Sequence, residues 1–530
     1  MLLRRRQFYP SKKAFDHIKY RSIKYRQRPG ISASTGGLSI SLILRHPLVD
    51  MAFTAGKIPS SEQHWLTESF VDPNGRVFEW HGEIYRMLAP TYAARWKELV
   101  DQGVIAGLIR EGLLVESEWT NLTTESGENV LRHRRVPVVS YCYEWVPGML
   151  QAAALVTLEL CIRLAERGLT LQDGHPWDVL SDGTKPVYIE AGSMVPARDD
   201  ILWAPYQQFC NFFLFPLYLY ASGNDRVARW LLRDYLAGVT DEDLLHTLPL
   251  SFKARHPRRT LGVAIPKWLN KVFERLPEEL QQRFLSFSKT INSSPANHKL
   301  KIRFLDSLRN NIDSLKLPRA GSAWERYYRT ADKNYFHTDL APAEWQQKQE
   351  AVGRFLAELR PRSVLDVGAN TGQYAKLAAS AGARVIACEV DVSAVNRCYD
   401  DARKEKLNIL PLAVNVFSLS PTPSRGGLPS LPAATRFRSE FVMGLALIHH
   451  VVAIQRIPID RIVEIFAALS ERWLLLEFTV PLKPKIGASA VPALDDFTVD
   501  QLEVCLKHSF HTVRRFPSYP DERKLFLCEK

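Results

Sequence analysis

The chain has 530 residues, of which 46% are hydrophobic and 24% charged, and its formal net charge is +12. This length exceeds what a single hydrophobic core supports, so two or three domains are expected. The composition is that of a soluble globular protein and excludes a mainly disordered chain. No uninterrupted apolar run reaches the ~18 residues that a membrane span needs.

Positive charge is concentrated at the start of the chain. Residues 1–28 hold ten Lys or Arg and one acid, so they carry +9 of the +12, and the remainder is nearly balanced. Residues 29–60 are rich in Gly, Ser and Pro, and residues 1–60 are predicted to form a basic flexible arm. The arm is interpreted as a disordered tail or as an extension ahead of a start at Met51. A cleaved transit sequence and contact with RNA or anionic lipid are the alternatives.

The seven cysteines include no C-x-x-C pair. This spacing is typical of neither a zinc site nor a disulfide scaffold, and it favours a reducing, cytoplasmic location. Because the body of the chain is nearly neutral, nucleic acid is expected to bind, if at all, only through the basic arm.

Residues 61–260 are predicted to form a first folded domain. Val77–Trp80 and Ile84–Leu88 indicate a hairpin around His81-Gly82, and residues 137–143 (PVVSYCY) indicate a strand. Residues 151–167 are rich in Ala and Leu and predict a helix that ends at Gly168.

The loop LQDGHPWDVL (171–180), followed by PVYIEAG (186–192), resembles the catalytic loop and metal-binding turn of kinase-like phosphotransferases. The resemblance implies that Asp173 lies at the position of the catalytic base, and that Asp178 and Glu190 lie at metal-binding positions. Three positions depart from the family pattern, and no glycine-rich phosphate loop or V-A-I-K lysine precedes them. We therefore expect a kinase-like α+β domain without kinase activity, in which Asp178 and Glu190 are only weak candidates for metal ligands. Residues 261–320 are interpreted as a polar helical linker.

The rest of the chain is organised around residues 363–391, which read SVLDVGANTGQYAKLAASAGARVIACEVD. A short apolar strand leads into a glycine turn, a helix follows, and a second apolar strand ends in an acid. An acid at the end of that strand can accept hydrogen bonds from the ribose of a nucleoside cofactor. Asn370 and Gln373 replace two glycines of the dinucleotide pattern, which argues against NAD.

The stretch DVGANTG (366–372) instead resembles motif I of class I S-adenosylmethionine-dependent methyltransferases. The resemblance covers residues 321–530 and implies that S-adenosyl-L-methionine is the cofactor. It places Asp366 near the methionine end of the cofactor, with the turn from Gly368 through Asn370 to Gly372 beneath it. It also implies that Glu389 holds the ribose.

The downstream sequence alternates strands and helices, which predicts a mostly parallel sheet. Residues 408–417, 440–448 and 473–478 indicate the third, fourth and fifth strands, and residues 511–515 and 524–528 indicate a closing antiparallel hairpin. The fold class expected is therefore α/β, a Rossmann-like methyltransferase sheet that follows the kinase-like domain. The resemblance implies that Asn415 lies beside the adenine.

His449 and His450 follow the predicted fourth strand, where a ligand of an open α/β sheet binds. One of them is a candidate general base for a hydroxyl acceptor, and packing or strand capping is the alternative for each. The segments ALIHH, RIPID and LLLEF resemble a bacterial group of two-part methyltransferases, the NoeA-type nodulation proteins. The function expected is methylation of a small molecule or glycan at an O or C atom. An RNA methyltransferase that uses the arm and a non-catalytic scaffold are the alternatives.

Overall fold

The computed structural model covers both expected domains. It describes residues 56–66, 69, 72–198, 203–277, 279–282, 296–317, 321–322, 324–325, 342–418, 432–479, 498–518 and 522–530. Residues 1–55 of the predicted arm lie outside the described residues. Residues Gly56–Ile58 do not belong to a flexible arm, because they form a strand of the first sheet.

The N-terminal domain begins with a six-stranded sheet. Its strands are β1 (Gly56–Ile58), β2 (His64–Trp65), β3 (Gly75–Trp80), β4 (Glu83–Leu88), β5 (Ser117–Thr124) and β6 (Asn129–His133), in the spatial order β1-β5-β6-β4-β3-β2. The predicted β3–β4 hairpin is confirmed, and both residues of its turn have positive φ, 50° at His81 and 80° at Gly82. Helices α1 (Pro90–Asp101) and α2 (Val104–Arg110) join β4 to β5.

A mainly helical part follows the sheet. Its central helix is α3 (Pro147–Ala165), and two short antiparallel strand pairs come next. These pairs are formed by β7 (Leu169–Leu171) with β10 (Met194–Pro196), and by β8 (Val179–Asp182) with β9 (Lys185–Tyr188). By length and composition α3 could cross a membrane, yet most of it is buried inside the protein.

The strand predicted at residues 137–143 is wrong. This segment is an irregular connection that ends in a single 3₁₀ turn, Cys142–Glu144. Its backbone groups find partners outside any sheet: the N–H of Tyr141 donates to the Glu144 carboxylate, and the carbonyl of Val139 accepts from Arg436. Of the two β-branched residues that suggested a strand, Val138 is buried and Val139 is half-buried, because the connection packs against the C-terminal domain.

Further helices of this domain follow these strands in the chain. They are α4 (Tyr206–Phe209), α5 (Phe215–Ala221), α6 (Asp225–Leu231), α7 (Asp241–Thr247), α8 (Leu250–Arg255), α9 (Pro257–Glu274) and α10 (Ala296–Asp313). Within residues 261–320 the structure describes two long helices, α9, which begins at Pro257, and α10, and α10 does more than link two domains. Its residues Leu305, Leu308 and Ile312 are buried in the core that contains α3.

The C-terminal domain contains a seven-stranded sheet. Its strands are β11 (Ser363–Val367), β12 (Arg384–Glu389), β13 (Ile409–Ala413), β14 (Ser439–Gly444), β15 (Ser470–Phe478), β16 (Thr512–Pro517) and β17 (Lys524–Glu529), in the spatial order β13-β12-β11-β14-β15-β17-β16. The first five are parallel, and β17 pairs antiparallel with both β15 and β16. The sheet has the parallel run and the closing hairpin that the sequence predicted.

Helices cover both faces of this sheet. They are α11 (Pro342–Leu359), α12 (Gln373–Ser380), α13 (Val392–Glu405), α14 (Ala433–Arg436), α15 (Ile448–His450), α16 (Ile459–Leu469) and α17 (Val499–Ser509). Because the strands are covered on both sides, they read as continuous apolar runs, and Val364, Leu365, Val442 and Leu474 are fully buried.

The two domains share one hydrophobic core, which includes residues of α3 and of the C-terminal sheet. At their interface the guanidinium of Arg436 donates to both carboxylate oxygens of Glu144, at 2.6 and 3.0 Å. Both side chains are at most 5% exposed. Gly148, at the start of α3, lies so close to Tyr399 of α13 that an added Cβ would be 2.9 Å from its ring. The N-terminal domain is therefore packed directly against the C-terminal one.

Candidate cofactor site at the ends of strands β11 and β12

The turn after β11 has the backbone conformation that its glycines permit. Gly368 and Gly372 have φ of 78° and 81°, and Asn370 has φ of 51°. A Cβ on Gly372 would lie 2.4 Å from the Sγ of Cys398 on α13, and one on Gly368 would lie 3.0 Å from Leu447. Left-handed backbone and close packing together require glycine at these two positions.

Hydrogen bonds fasten the turn to the neighbouring strand β12. The N–H groups of Gly368 and Ala369 both donate to the carbonyl of Cys388, at 2.8 and 3.1 Å. The carboxylate of Glu389 accepts from the N–H of Asn370 at 3.1 Å, and also from the N–H groups of Val390 and Asp391. Burial raises the pKa of Glu389, and these three donors oppose the rise. Glu389 thus lies at the predicted strand end, in contact with the glycine turn.

Asp366 is the most unusual polar group in this region. It is 2% exposed, and its Oδ2 has no hydrogen-bond partner among the described residues. Burial raises the pKa of its carboxyl group to about 7, while a hydrogen bond from the N–H of Ala375 and the charge of Lys348 oppose the rise. A buried oxygen without a partner costs free energy, so this carboxyl group is less favourably placed than one whose oxygens are all hydrogen-bonded.

Asn415 follows the third strand, β13, by two residues. Its amide nitrogen donates to Gln455 at 3.0 Å, and its oxygen accepts from the N–H of Phe417. The predicted strand 408–417 therefore ends earlier than expected, at Ala413, and the side chain of Asn415 lies in the loop that follows it.

His449 and His450 lie in the short helix α15 after β14, with ring centroids 3.9 Å apart. The Nδ1 of His449 is buried without a partner among the described residues. Burial, followed by the charges of His450, Arg523 and Lys348, lowers the pKa of His449 to about 3; burial also lowers the pKa of His450. The imidazole of His449 is therefore a weaker base than that of an ordinary histidine.

The sequence did not predict the charged cluster beside these histidines. Glu477, at the end of β15, is completely buried and forms an ion pair with Lys348 of α11. It also accepts from the N–H of Ala446 at 2.7 Å and from the hydroxyl of Ser518 at 2.8 Å. Because Ala446 has a φ of 51°, Glu477 stabilises a strained loop that leads to His449. Glu477 is part of LLLEF, but nothing local shows that Lys348 lies 129 positions away in contact with it.

Trp324 lies against this loop, with its ring centroid 5.4 Å from that of His450. An aromatic residue ahead of motif I therefore reaches the edge of the candidate site. Tyr327 and Tyr328, the next aromatic residues along the chain, lie outside the described residues.

The N-terminal domain gathers a second set of charged groups, in the cleft between its sheet and its helical part. The guanidinium of Arg86, on β4, is 3% exposed and contacts Asp72 at 2.6 Å and Glu190 at 2.5 Å. Asn74 donates to the carbonyl of Gly192 at 2.7 Å. Burial raises the pKa of Asp72 to about 7, Glu190 adds to the rise, and Arg86 opposes it.

The weak metal candidates do not come together in this cleft. Glu190 is engaged by Arg86 and by the N–H of Gly192, whereas Asp178 is buried beside His175 and Tyr188. Asp173 accepts a hydrogen bond from Gln208 at 3.1 Å. Within the described ranges no three His, Cys, Asp or Glu side chains are grouped to hold a metal ion. All seven cysteines are free thiols, and six of them are buried.

Comparison with known proteins begins with the sequence. No protein-family model matches the chain. The nodulation protein NoeA of Rhizobium meliloti (strain 1021) is 30% identical over 409 residues, which cover 74% of this chain and 81% of NoeA.

Solved structures give weaker likenesses. WbdD, described as a bifunctional kinase-methyltransferase, gives a TM-score of 0.27 at 16% identity and covers 36% of this chain and 40% of WbdD. The magnesium protoporphyrin IX methyltransferase ChlM of Synechocystis PCC 6803 gives 0.28 at 15% identity, over 42% of this chain and 96% of ChlM. TM-scores this low do not by themselves establish a common fold.

The sheet with its closing hairpin, the glycine turn after β11 and the acid after β12 define the C-terminal part as a class I methyltransferase domain. The 30% sequence identity to the nodulation protein identifies the family within this class. The chain belongs to the NoeA family.

Proposed function

We propose that the protein is a methyltransferase that uses S-adenosyl-L-methionine and acts on a small molecule or a glycan, at an O or C atom. The observation that carries the proposal is a carboxyl oxygen of Asp366 that has no hydrogen-bond partner in the described part of the chain. It lies beside a left-handed glycine turn, with Glu389 at the end of the next strand. A buried acid, a turn without side chains and a second acid are suited to a cofactor that carries positive charge and a ribose. When bound, the cofactor supplies a methyl group on a sulfonium.

The residues of this chain would divide the work as follows. Asp366 would face the methionine end, Glu389 would accept from the ribose hydroxyls, and Asn415 would lie beside the adenine. The turn from Gly368 through Asn370 to Gly372 would bring bare backbone close to the ligand. Methyl transfer depends mainly on positioning and on exclusion of water, so a buried site that holds the cofactor and the acceptor in place is sufficient.

His449 and His450 are proposed to face the acceptor. Their position after β14 supports this, since ligands bind outside the carboxyl ends of parallel strands. His449 would act as an uncharged imidazole that accepts a hydrogen bond, because its pKa of about 3 makes it a weak base. His450, whose ring meets that of Trp324, is the better candidate for taking a proton from a hydroxyl acceptor.

The N-terminal domain is proposed to be kinase-like and to transfer no phosphate. In support, Arg86 already holds two carboxylates in the cleft, and Glu190, at the expected metal position, is one of them. Contact with nucleic acid is proposed only for the basic arm, and the cytoplasm is the proposed location.

Calorimetric titration of the full-length protein with S-adenosyl-L-methionine tests the proposal. We expect binding, and we expect Glu389→Ala to weaken it by about 2–3 kcal/mol, because charge-assisted hydrogen bonds to the ribose are lost. Glu358→Ala, an exposed acid at the end of α11, is the matched control and should leave the affinity unchanged. Absence of binding by the wild type, or equal affinities of wild type and Glu389→Ala, would reject the cofactor assignment.

The acceptor is tested by incubating the protein with labelled cofactor and extracts, and by screening for labelled products. His450→Ala should lower turnover by about 10²–10⁴-fold without loss of cofactor affinity if His450 takes the proton. His450→Gln keeps a hydrogen bond but cannot take a proton, so it should be as slow as the Ala variant. Full turnover in both variants would assign His450 a packing role.

A further inference from the structure

Helix α9 (Pro257–Glu274) presents an apolar face to solvent. Five large apolar side chains recur at helical spacing along it and its continuation, with exposed fractions of 51% for Leu261, 48% for Ile265, 62% for Trp268, 38% for Val272 and 37% for Leu276. These five residues are called the apolar stripe. At about 100° per residue they lie within one third of the helix circumference.

The opposite face of α9 holds the helix to the domain. Val263 is buried there, and Arg259 donates to Asn311 of α10 at 3.1 Å. The stripe is therefore directed away from the core by the packing of the helix itself. A contiguous exposed apolar surface bordered by polar residues is typical of an interaction site.

The polar residues that border the stripe are mainly basic. Residues 257–276 contain five Lys or Arg and one acid, a net charge of +4. Lys271 and Arg275 are exposed beside the stripe and Arg258 is exposed at the start of the helix. Among the described residues none of these three has an acidic partner within 4.0 Å, so their charges are available to a ligand of opposite sign.

We propose that α9 docks the protein on the surface of an anionic lipid membrane, with the apolar stripe lying in the headgroup region. An exposed apolar face that includes Trp, bordered by Lys and Arg, matches the physical requirements of an interfacial helix. The helix lies flat because its other face is packed on the domain, so docking needs no unfolding.

Charge favours this partner over two others that could cover the stripe. A second copy of the chain would place two helices of +4 face to face, and the arm of residues 1–28 carries +9, so both are repelled. An anionic membrane attracts the helix, at about fivefold in affinity for each Lys or Arg near the surface.

Sedimentation of the full-length protein with vesicles tests the proposal. We expect binding to vesicles of phosphatidylglycerol and phosphatidylcholine, weaker binding at high salt, and little binding to phosphatidylcholine alone. Ile265→Ser and Trp268→Ser should each lower the partition coefficient by about tenfold or more, because each removes apolar surface from the lipid contact. Trp230→Ser is the matched control: Trp230 is 69% exposed on α6, and its loss should leave partitioning unchanged.

Charge variants separate the helix from the arm. Lys271→Gln and Arg275→Gln should each lower binding by about fivefold, whereas Arg110→Gln and Lys404→Gln, which are exposed elsewhere, should have little effect. If all helix variants bind as the wild type does, the arm alone carries the lipid affinity and the proposal is wrong. Absence of vesicle binding by the wild type overturns it as well.

Two further measurements complete the test. Quenching of tryptophan fluorescence by brominated lipid should fall in Trp268→Phe while binding persists, because the phenyl ring keeps the apolar contact. Sedimentation velocity without vesicles measures the oligomeric state and so tests whether a second copy of the chain covers the stripe. If Trp268→Ser dissociates an oligomer and leaves vesicle binding intact, the stripe joins two copies of the chain and the membrane proposal fails.

Discussion

Two carboxyl groups, one in each domain, have the same raised pKa of about 7 and very different surroundings. Burial is the largest cause in both. Asp366 has an oxygen without any hydrogen-bond partner among the described residues. Asp72 contacts the guanidinium of Arg86 at 2.6 Å and accepts from the N–H of Asn74 at 2.9 Å, and its pKa is raised further by Glu190.

The difference is that Asp366 keeps an oxygen without a hydrogen-bond partner among the described residues, whereas Asp72 and Glu190 are both paired with Arg86. The unsatisfied buried oxygen of Asp366 lowers the stability of the folded protein, and a bound cation or hydrogen-bond donor would offset this loss of free energy. In the N-terminal cleft Arg86 forms ion pairs with both Asp72 and Glu190. The cleft is also tightly packed, because an added Cβ on Gly192 would lie 2.3 Å from the carboxylate of Asp72. A ligand that needed Arg86 would first have to displace Asp72.

The largest expected effect is on the N-terminal cluster. Arg86→Met removes a buried guanidinium and leaves two carboxylates facing each other, so the free energy of unfolding should fall by about 3–5 kcal/mol. Urea denaturation measures this. Arg132→Met, which breaks an exposed pair with Glu118 on the same sheet, is the control and should cost less than about 1 kcal/mol. Equal losses in the two variants would show that the cluster contributes nothing special.

The next effect is at the glycine turn. Gly372→Ala places a Cβ 2.4 Å from Cys398 at a φ of 81°, and we expect a loss of about 2–4 kcal/mol in unfolding free energy together with loss of cofactor binding. Gly382→Ala has a φ of 93° but no atom within 4 Å of the added Cβ, so it isolates the backbone cost of about 1–2 kcal/mol. Intact binding in Gly372→Ala would remove the turn from the cofactor site.

A smaller effect is expected on the pH dependence of cofactor affinity. The ionised form of Asp366 should bind a cationic ligand better than the neutral form, so wild-type affinity should rise with pH through about 7 and then level off. Asp366→Asn cannot ionise, so its affinity should be about tenfold lower above that pH and should not change across this window. Calorimetry at several pH values measures both curves. A wild-type affinity that does not vary with pH would mean that Asp366 stays in one protonation state.

Much of the C-terminal domain was predictable because its signals are local. The apolar run at Val364–Val367, the glycine turn and the β16–β17 hairpin each lie within a few residues, and the structure places them where the sequence predicted. The ion pairs were not predictable, because Arg86 and Glu190 are 104 positions apart and Arg436 and Glu144 are 292 apart. The sequence contains no V-A-I-K lysine, so it predicted no cation in this cleft. It did not indicate that Arg86 would occupy it.

The direction of the apolar stripe of α9 was not predictable from the sequence. Its helical spacing is visible in the sequence, but the segment was interpreted as a polar linker. Periodicity identifies an apolar face without saying whether that face is turned toward the core or toward solvent. Only the packing of Val263 and Arg259 against the domain settles the direction.

The smallest effect is expected for Asp72→Asn, and it tests the comparison most directly. The folded protein holds a proton on Asp72 up to a pH of about 7, whereas an ordinary Asp loses it near 3.8. The folded state therefore binds more protons than the unfolded state between these values, and the free energy of unfolding should fall as the pH rises through this window. Asn keeps an oxygen that can accept from Arg86 and from the N–H of Asn74.

Below about pH 3.8, where Asp72 is protonated in both the folded and the unfolded state, Asp72→Asn should therefore be as stable as the wild type. Above pH 7 it should differ by no more than about 1 kcal/mol, in the direction of greater stability, because the repulsion with Glu190 is gone and solvent screens part of it. Its fall in stability between these pH values should be shallower than that of the wild type, as measured by urea denaturation. Asp366→Asn should make the fall shallower by an independent amount, since the two groups lie in different domains. An unchanged slope in Asp72→Asn would mean that Arg86 keeps Asp72 ionised, and that the cleft is held closed by a full ion pair with both acids.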